Sequence, residues 1–193
     1  MAKINIQYIN RDLVGSKKQF VGLAKGAALS KFNAAKNELL EDFDNHQVTK
    51  ELEGDPLKEG KILSKGNLFA FFGFEQGEKP TEPIREILKN EIQLENNPEF
   101  IAKRIGFKIS FPIKEPTKKE LEDAAPMPNY TSGSWITKVE KGLKGLEAFL
   151  VGAFIGSRSG GGIQAKNKVR DESFSGTPYL TAILKKFRER LKK

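Results

Sequence analysis

The chain has 193 residues and a formal net charge of +8, with 38% hydrophobic residues, 30% charged residues and no cysteine. That length supports one domain with a real core and leaves little for a second, and the lack of cysteine excludes disulfides, thiolate metal sites and cysteine nucleophiles together. Residues 1–97 hold 14 Lys+Arg against 15 Asp+Glu, net −1, and residues 98–193 hold the remaining 19 against 10, net +9. A polyanion or an acidic protein surface is therefore expected to meet the second half.

The amino terminus lacks a continuous apolar segment of the kind that directs secretion. No apolar run approaches ~18 residues, so a soluble chain without a membrane span is expected. INIQYI (residues 4–9) alternates apolar and polar residues and reads as an edge strand or arm. Ser16 and Gln19 then form a capping-box pattern. From there Phe20, Ala24, Ala28, Phe32, Ala35, Leu39 and Phe43 recur at spacings of three and four, predicting one helix over about 17–44. The small residues Gly22, Ala24, Gly26, Ala27 and Ala28 would let a neighbour approach its backbone closely.

Between about residues 44 and 80 the periodicity fails, and five glycines with Pro56 and Pro80 predict a long inserted loop within a single domain spanning residues 1–193. Thr81 can cap a second helix through about Leu94, with Ile84, Ile87, Leu88 and Ile92 on one face. In RIGFKISFPI, Ile105, Phe107, Ile109, Phe111 and Ile113 alternate strictly, predicting a strand with one buried face. Pro112 suggests that it lies at an edge or ends there. Thr117 and Glu120 cap a short helix, and Trp135, Ile136, Val139, Leu143, Leu146, Phe149 and Leu150 mark a longer one. GIQAKNKVR (residues 162–170) reads as a strand with basic residues at alternate positions. Thr177-Pro178 opens a last helix, with Leu180, Ile183, Leu184, Phe187 and Leu191 on one face and cations opposite. The order predicts an α+β fold: a long N-terminal helix, a small antiparallel sheet, a C-terminal helix and extended interface loops.

The inventory for catalysis is thin. His46 is the sole histidine, with no cysteine or second histidine to complete a metal site, and reads as a solvated loop residue. The carboxylates Glu41, Asp42, Asp44, Glu51, Glu53 and Asp55 lack Ca²⁺-loop spacing and read as a charged helix end and its loop. SRSGGGIQ (residues 157–164) matches neither phosphate-loop nor dinucleotide patterns and reads as a turn or arm. No nucleophile, base and orienting group can be written together, so a non-enzymatic protein without metal or cofactor is expected. Trp135 reads as core. The basic positions Arg158, Lys166, Lys168, Arg170, Lys185, Lys186, Arg188, Arg190, Lys192 and Lys193 fit a solubilising face and a phosphate-contacting face equally.

GNLFAFFGF (residues 66–74) has no amphipathic period. Leu68, Phe69, Phe71, Phe72 and Phe74 point to all sides, and burying four Phe rings is worth on the order of 6–12 kcal/mol. Such a cluster either crosses the core of its own chain or inserts between subunits. The long glycine-punctuated flanks favour an interface.

FDNHQVTKELE (residues 43–53), GNLFAFFGF, GSWITKVEKG (residues 133–142), SRSGGGIQAKNKVR (residues 157–170) and GTPYLTAILKKF (residues 176–187) resemble virion proteins of tailed bacteriophages. The layout looks like the tail-completion or neck proteins of the head–tail interface. That resemblance implies a virion protein, made in the host cytoplasm, that forms a ring of six or twelve copies joining the portal and its adaptor to the tail around the DNA channel. It carries no catalytic residues and implies no membrane partner. Under it the phenylalanine loop would lie in a subunit interface, while Arg158, Lys166, Lys168, Arg170, Lys185, Lys186 and Arg188 would face genomic DNA or acidic neighbouring rings. A basic nucleic-acid-binding module outside any virion is the alternative.

Overall fold

The computed structural model describes residues 2–8, 17–54, 60–62, 67–102, 107–128, 133–143 and 174–192. They form an α+β fold with a long N-terminal helix, a small antiparallel sheet of four strands and a C-terminal helix. The chain divides into two compact units, one from residues 1–45, 82–121 and 180–193, the other from residues 46–81 and 122–179.

In the first unit, helix α1 (Lys17–Asn45) runs as its period predicts. Ala24, Ala28, Phe32, Ala35, Leu39 and Phe43 are all buried, one to each turn. The Ser16 cap lies outside the described residues. Gly22 and Gly26 are exposed, and a Cβ built on either would meet nothing within 4 Å, so among the described residues nothing approaches closely there.

The sheet consists of β1 (Ala2–Tyr8), β2 (Gln93–Leu94), β3 (Glu99–Ala102) and β4 (Phe107–Lys114). β1 is an edge strand, paired along its whole length with β4 from Ala2↔Ile113 to Tyr8↔Phe107. β4 is central, because β2 and β3 share its other side. Of the two expectations drawn from Pro112, the edge position is therefore corrected, while the strand does end two residues later at Lys114, and the backbone shows why a proline survives there. β2 pairs only as far as Leu94↔Ile113, and β3 begins at Glu99↔Ser110. The Pro112 carbonyl, which accepts from Glu95 N–H at 2.9 Å, points into the break between them. In an antiparallel strand a residue's nitrogen points to the same side as its carbonyl, so the missing donor falls where no full ladder asks for one. The expectation of one buried face is corrected too, since Ser110 and Pro112 are buried along with Ile109, Phe111 and Ile113. Lys3 and Glu99 share that second face and form an ion pair at 2.6 Å across it.

Helix α4 (Glu82–Asn90) stops sooner than its apolar pattern suggested, yet Ile84, Leu88 and Ile92 are all buried. Lys36 reaches from α1 to donate to the Ile92 carbonyl at 2.8 Å while its ammonium sits 5.6 Å from the Phe32 ring centre. Partial burial pulls its pKa below the ordinary lysine value. Helix α5 (Lys118–Asp123) opens on the predicted capping box. Thr117 N–H donates to Glu120 Oε2 at 2.6 Å and Glu120 N–H to Thr117 Oγ1 at 3.2 Å. Donation to the carboxylate by Thr117, first from its backbone N–H and then from its side chain, holds the Glu120 carboxyl below the ordinary glutamate range. Helix α7 (Leu180–Lys192) buries all five residues of its predicted apolar face, and Phe187 meets Phe32 edge-on with ring centres 6.3 Å apart.

The second unit contains two helices where the sequence suggested only a loop, α2 (Gln47–Glu53) and α3 (Leu68–Phe72). Helix α6 (Trp135–Lys141) is capped by Ser134, which accepts from Ile136 N–H at 3.2 Å, and it ends at Gly142 with φ +80°. It is shorter than predicted, as the backbone turns there into β5 (Gly142–Leu143), which pairs with β6 (Phe174–Ser175). Leu146, Phe149 and Leu150 lie outside the described residues. Gly176 passes so close to the end of α6 that a side chain would run into the Glu140 carbonyl and the Gly142 amide nitrogen. Trp135 is buried, as expected, with its ring centre 6.1 Å from that of Tyr179.

Candidate functional site

On α7, Lys185, Arg188 and Lys192 are spaced by three and four residues and share one exposed face, with Lys186 beside it. Two arginines of this helix are committed to partners within their own unit. Arg188 forks onto Glu115, with Nη2 to Oε2 at 2.7 Å and Nε to the same oxygen at 3.0 Å, and this pairing raises its pKa further above the ordinary arginine value. Arg190 spans Glu38 at 2.6 Å and Asp42 at 2.8 Å on α1. Lys185, Lys186 and Lys192 remain exposed, and among the described residues no carboxylate forms an ion pair with them. Among the described residues the positive face predicted for α7 is thus reduced to three lysines, since Arg188 and Arg190 serve as internal counter-charges, and Lys193 lies outside the described residues. Arg158, Lys166, Lys168 and Arg170 lie outside the described residues.

The phenylalanine cluster is a helix and not an irregular loop. Asn67 caps α3, its Oδ1 accepting from Ala70 N–H at 2.9 Å. Gly73 ends it in the left-handed conformation, φ +78°, donating its N–H to the Ala70 carbonyl. Leu68, Phe69 and Phe72 are 0%, 4% and 6% exposed, in the region where α3 packs on α2. Each such burial is worth about 1.5–3 kcal/mol, so the chain has its own reason to cover them. The expectation that all five apolar residues wait for another subunit is corrected for these three. Phe71 and Phe74 are half-buried and form the outer edge of the cluster, with Phe74 lying 5.6 Å from Phe69 and 6.2 Å from Phe72 between ring centres.

His46, expected in a solvated loop, instead caps α2, its Nδ1 accepting from Val48 N–H at 3.3 Å. Its ring lies 4.9 Å from Tyr179, whose hydroxyl shares a 2.7 Å hydrogen bond with the buried Thr49. Thr81, expected to cap α4, is buried and donates its hydroxyl to Glu53. Glu51, expected in a charged helix end and its loop, is instead buried at 5% exposed. The available signal is its place on the same helical face as Val48 and Leu52, three residues before Gly54 and nine before Gly60. Among the described residues no group of three His, Asp or Glu side chains could hold a metal ion, and no helix is long and apolar enough to cross a membrane. No protein-family model, curated protein or solved structure matches the chain.

Proposed function

We propose that this protein is a non-enzymatic structural component of the tailed-phage head–tail interface, a ring-forming neck or tail-completion protein that acts through shape and charge. The observation that carries the reading is the set of three exposed lysines on α7, Lys185, Lys186 and Lys192, which form no ion pair with a described carboxylate while both arginines of the same helix are paired. Such a row suits the phosphates of a genome end or the acidic wall of an adjoining ring. The half-buried edges of Phe71 and Phe74 supply an apolar rim for contact with another copy or with a portal, adaptor or tail protein.

The same lysines favour a second reading, a basic nucleic-acid-binding module outside any particle. The two readings separate in one pair of measurements. Reversing Lys185, Lys186 and Lys192 to glutamate is expected to block particle completion while leaving the secondary structure intact. Binding of the wild-type chain to duplex DNA is measured across a salt series. Tight binding whose logarithm falls steeply with log salt, and whose slope shrinks by about 0.9 for each phosphate contact removed by the reversals, supports the free DNA-binding module. Normal, filled, infectious particles carrying the triple reversal would overturn the neck assignment.

A further inference from the structure

Glu51 sits on α2 with its carboxylate turned inward, 5% exposed. Its Oε1 accepts three hydrogen bonds, from Lys61 N–H at 2.5 Å, Ile62 N–H at 2.8 Å and the Gln47 side-chain amide at 3.0 Å. Two successive backbone N–H groups converging on one oxygen form a small anion cradle, here occupied by the chain's own carboxylate. The fit depends on glycine: a Cβ at Gly60 would lie 2.5 Å from the Glu51 carboxyl carbon and from Oε2. The second oxygen, Oε2, is buried and has no hydrogen-bond partner among the described residues. A buried carboxylate with one oxygen crowded by donors and the other bare is held firmly enough to close, yet it keeps an uncompensated cost of burial that favours opening.

We propose that Glu51 and the Gly60–Ile62 turn form a releasable carboxylate clasp that fixes the chain leading into α3 and so governs whether the phenylalanine helix stays folded on α2. The sequence distances suit this role. Residue 62 precedes the Asn67 cap by five residues, and α3 packs on the same short helix that carries Glu51. Without the clasp, fourteen residues separate α2 from α3, and with it five separate the last bonded residue, Ile62, from Leu68. A shorter tether raises the local concentration of α3 at its seat. Opening the clasp lengthens the tether and exposes Leu68, Phe69 and Phe72 together. The clasp stands independently of the neck assignment and rests on it only for what the released rings would meet.

The test is amide hydrogen exchange on the full-length wild-type chain and on Glu51→Ala, Glu51→Gln and Gly60→Ala. Glu51→Ala and Gly60→Ala are expected to speed exchange at Lys61 and Ile62 at least about tenfold, the scale of losing one hydrogen bond to a charged group. The amide of Phe71, which donates to the Asn67 carbonyl, is expected to speed up with them. Glu51→Gln keeps an acceptor in the cradle and removes the buried charge, so its exchange should stay within about threefold of wild type. Sodium acetate added to Glu51→Ala should restore protection at Lys61 and Ile62 by refilling the cradle, and sodium chloride at equal ionic strength should not. Unchanged exchange at Lys61 and Ile62 in Glu51→Ala would overturn the clasp. Faster exchange there with Phe71 unaltered would overturn its control of α3. Should Glu51→Ala fail to fold, Gly60→Ala and Glu51→Gln carry the test, and equal loss of protection in both would count against the clasp. All of these readings come from the isolated chain, so their failure is distinct from a failure of the particle assay.

Discussion

In α1 the buried side chains recur every three or four residues along 29 residues, whereas α3 lasts five residues and places aromatic rings on every side. The first helix obtains its burial from repetition. Each of its turns from Ala24 to Phe43 adds its own buried side chain against α7 and the sheet. The second depends on particular bonds at its two ends, the Asn67 cap and the left-handed Gly73, and on α2 beneath it. Periodic burial is robust and legible, while burial set by caps is local and easily mistaken for a loop.

The sharpest way to break this comparison is Leu68→Ala. Leu68 is fully buried, so the substitution is expected to cost about 2–5 kcal/mol, as much as Leu39→Ala in α1. Equilibrium denaturation monitored by far-ultraviolet circular dichroism checks both. A nearly neutral Leu68→Ala would return α3 to the status of an uncovered interface segment. A smaller effect is expected from Tyr179→Phe, which removes the partner of the buried Thr49 hydroxyl in the unit that contains α2 and α3. Leaving that group unsatisfied should cost about 1–3 kcal/mol, read as a lowered denaturant midpoint, and Thr49→Val combined with Tyr179→Phe should recover part of the loss. The smallest effect has the opposite sign. Gly22→Ala and Gly26→Ala add a methyl into open space on an exposed helix and should stabilise by about 0.5–1 kcal/mol each. A loss of stability at either glycine would mean that something in solution already lies against that face of α1.

What could be read in the sequence follows the same division. The periods of α1 and α7, the alternation of β4 and the Thr117–Glu120 box each specify structure within a few residues, so their burial and capping emerged directly. The α+β class followed from their order. Helix α3 was missed because five residues are too few to show a period, although Asn67 and Gly73 bracket it with the residue types that start and stop helices. The candidate cationic face was legible only in part. Lysines and arginines look alike in a charge count, and what removes Arg188 and Arg190 from the surface charge are Glu115, Glu38 and Asp42, which lie 73, 152 and 148 positions away in the chain. The Glu51 clasp hides for a related reason, since an acid nine or more residues before a glycine announces nothing until the turn comes back to it.

The proline in β4 has a consequence for how the sheet is assembled. Its ring tolerates one alignment, in which the gap between the two short strands falls opposite it. Sliding either short strand along by a residue or two would set an acceptor against a nitrogen that has no hydrogen to give, and would turn core side chains toward the wrong face. Pro112 therefore weights strand pairing toward the native alignment, since a slipped ladder on that side loses a hydrogen bond as well as its buried side chains.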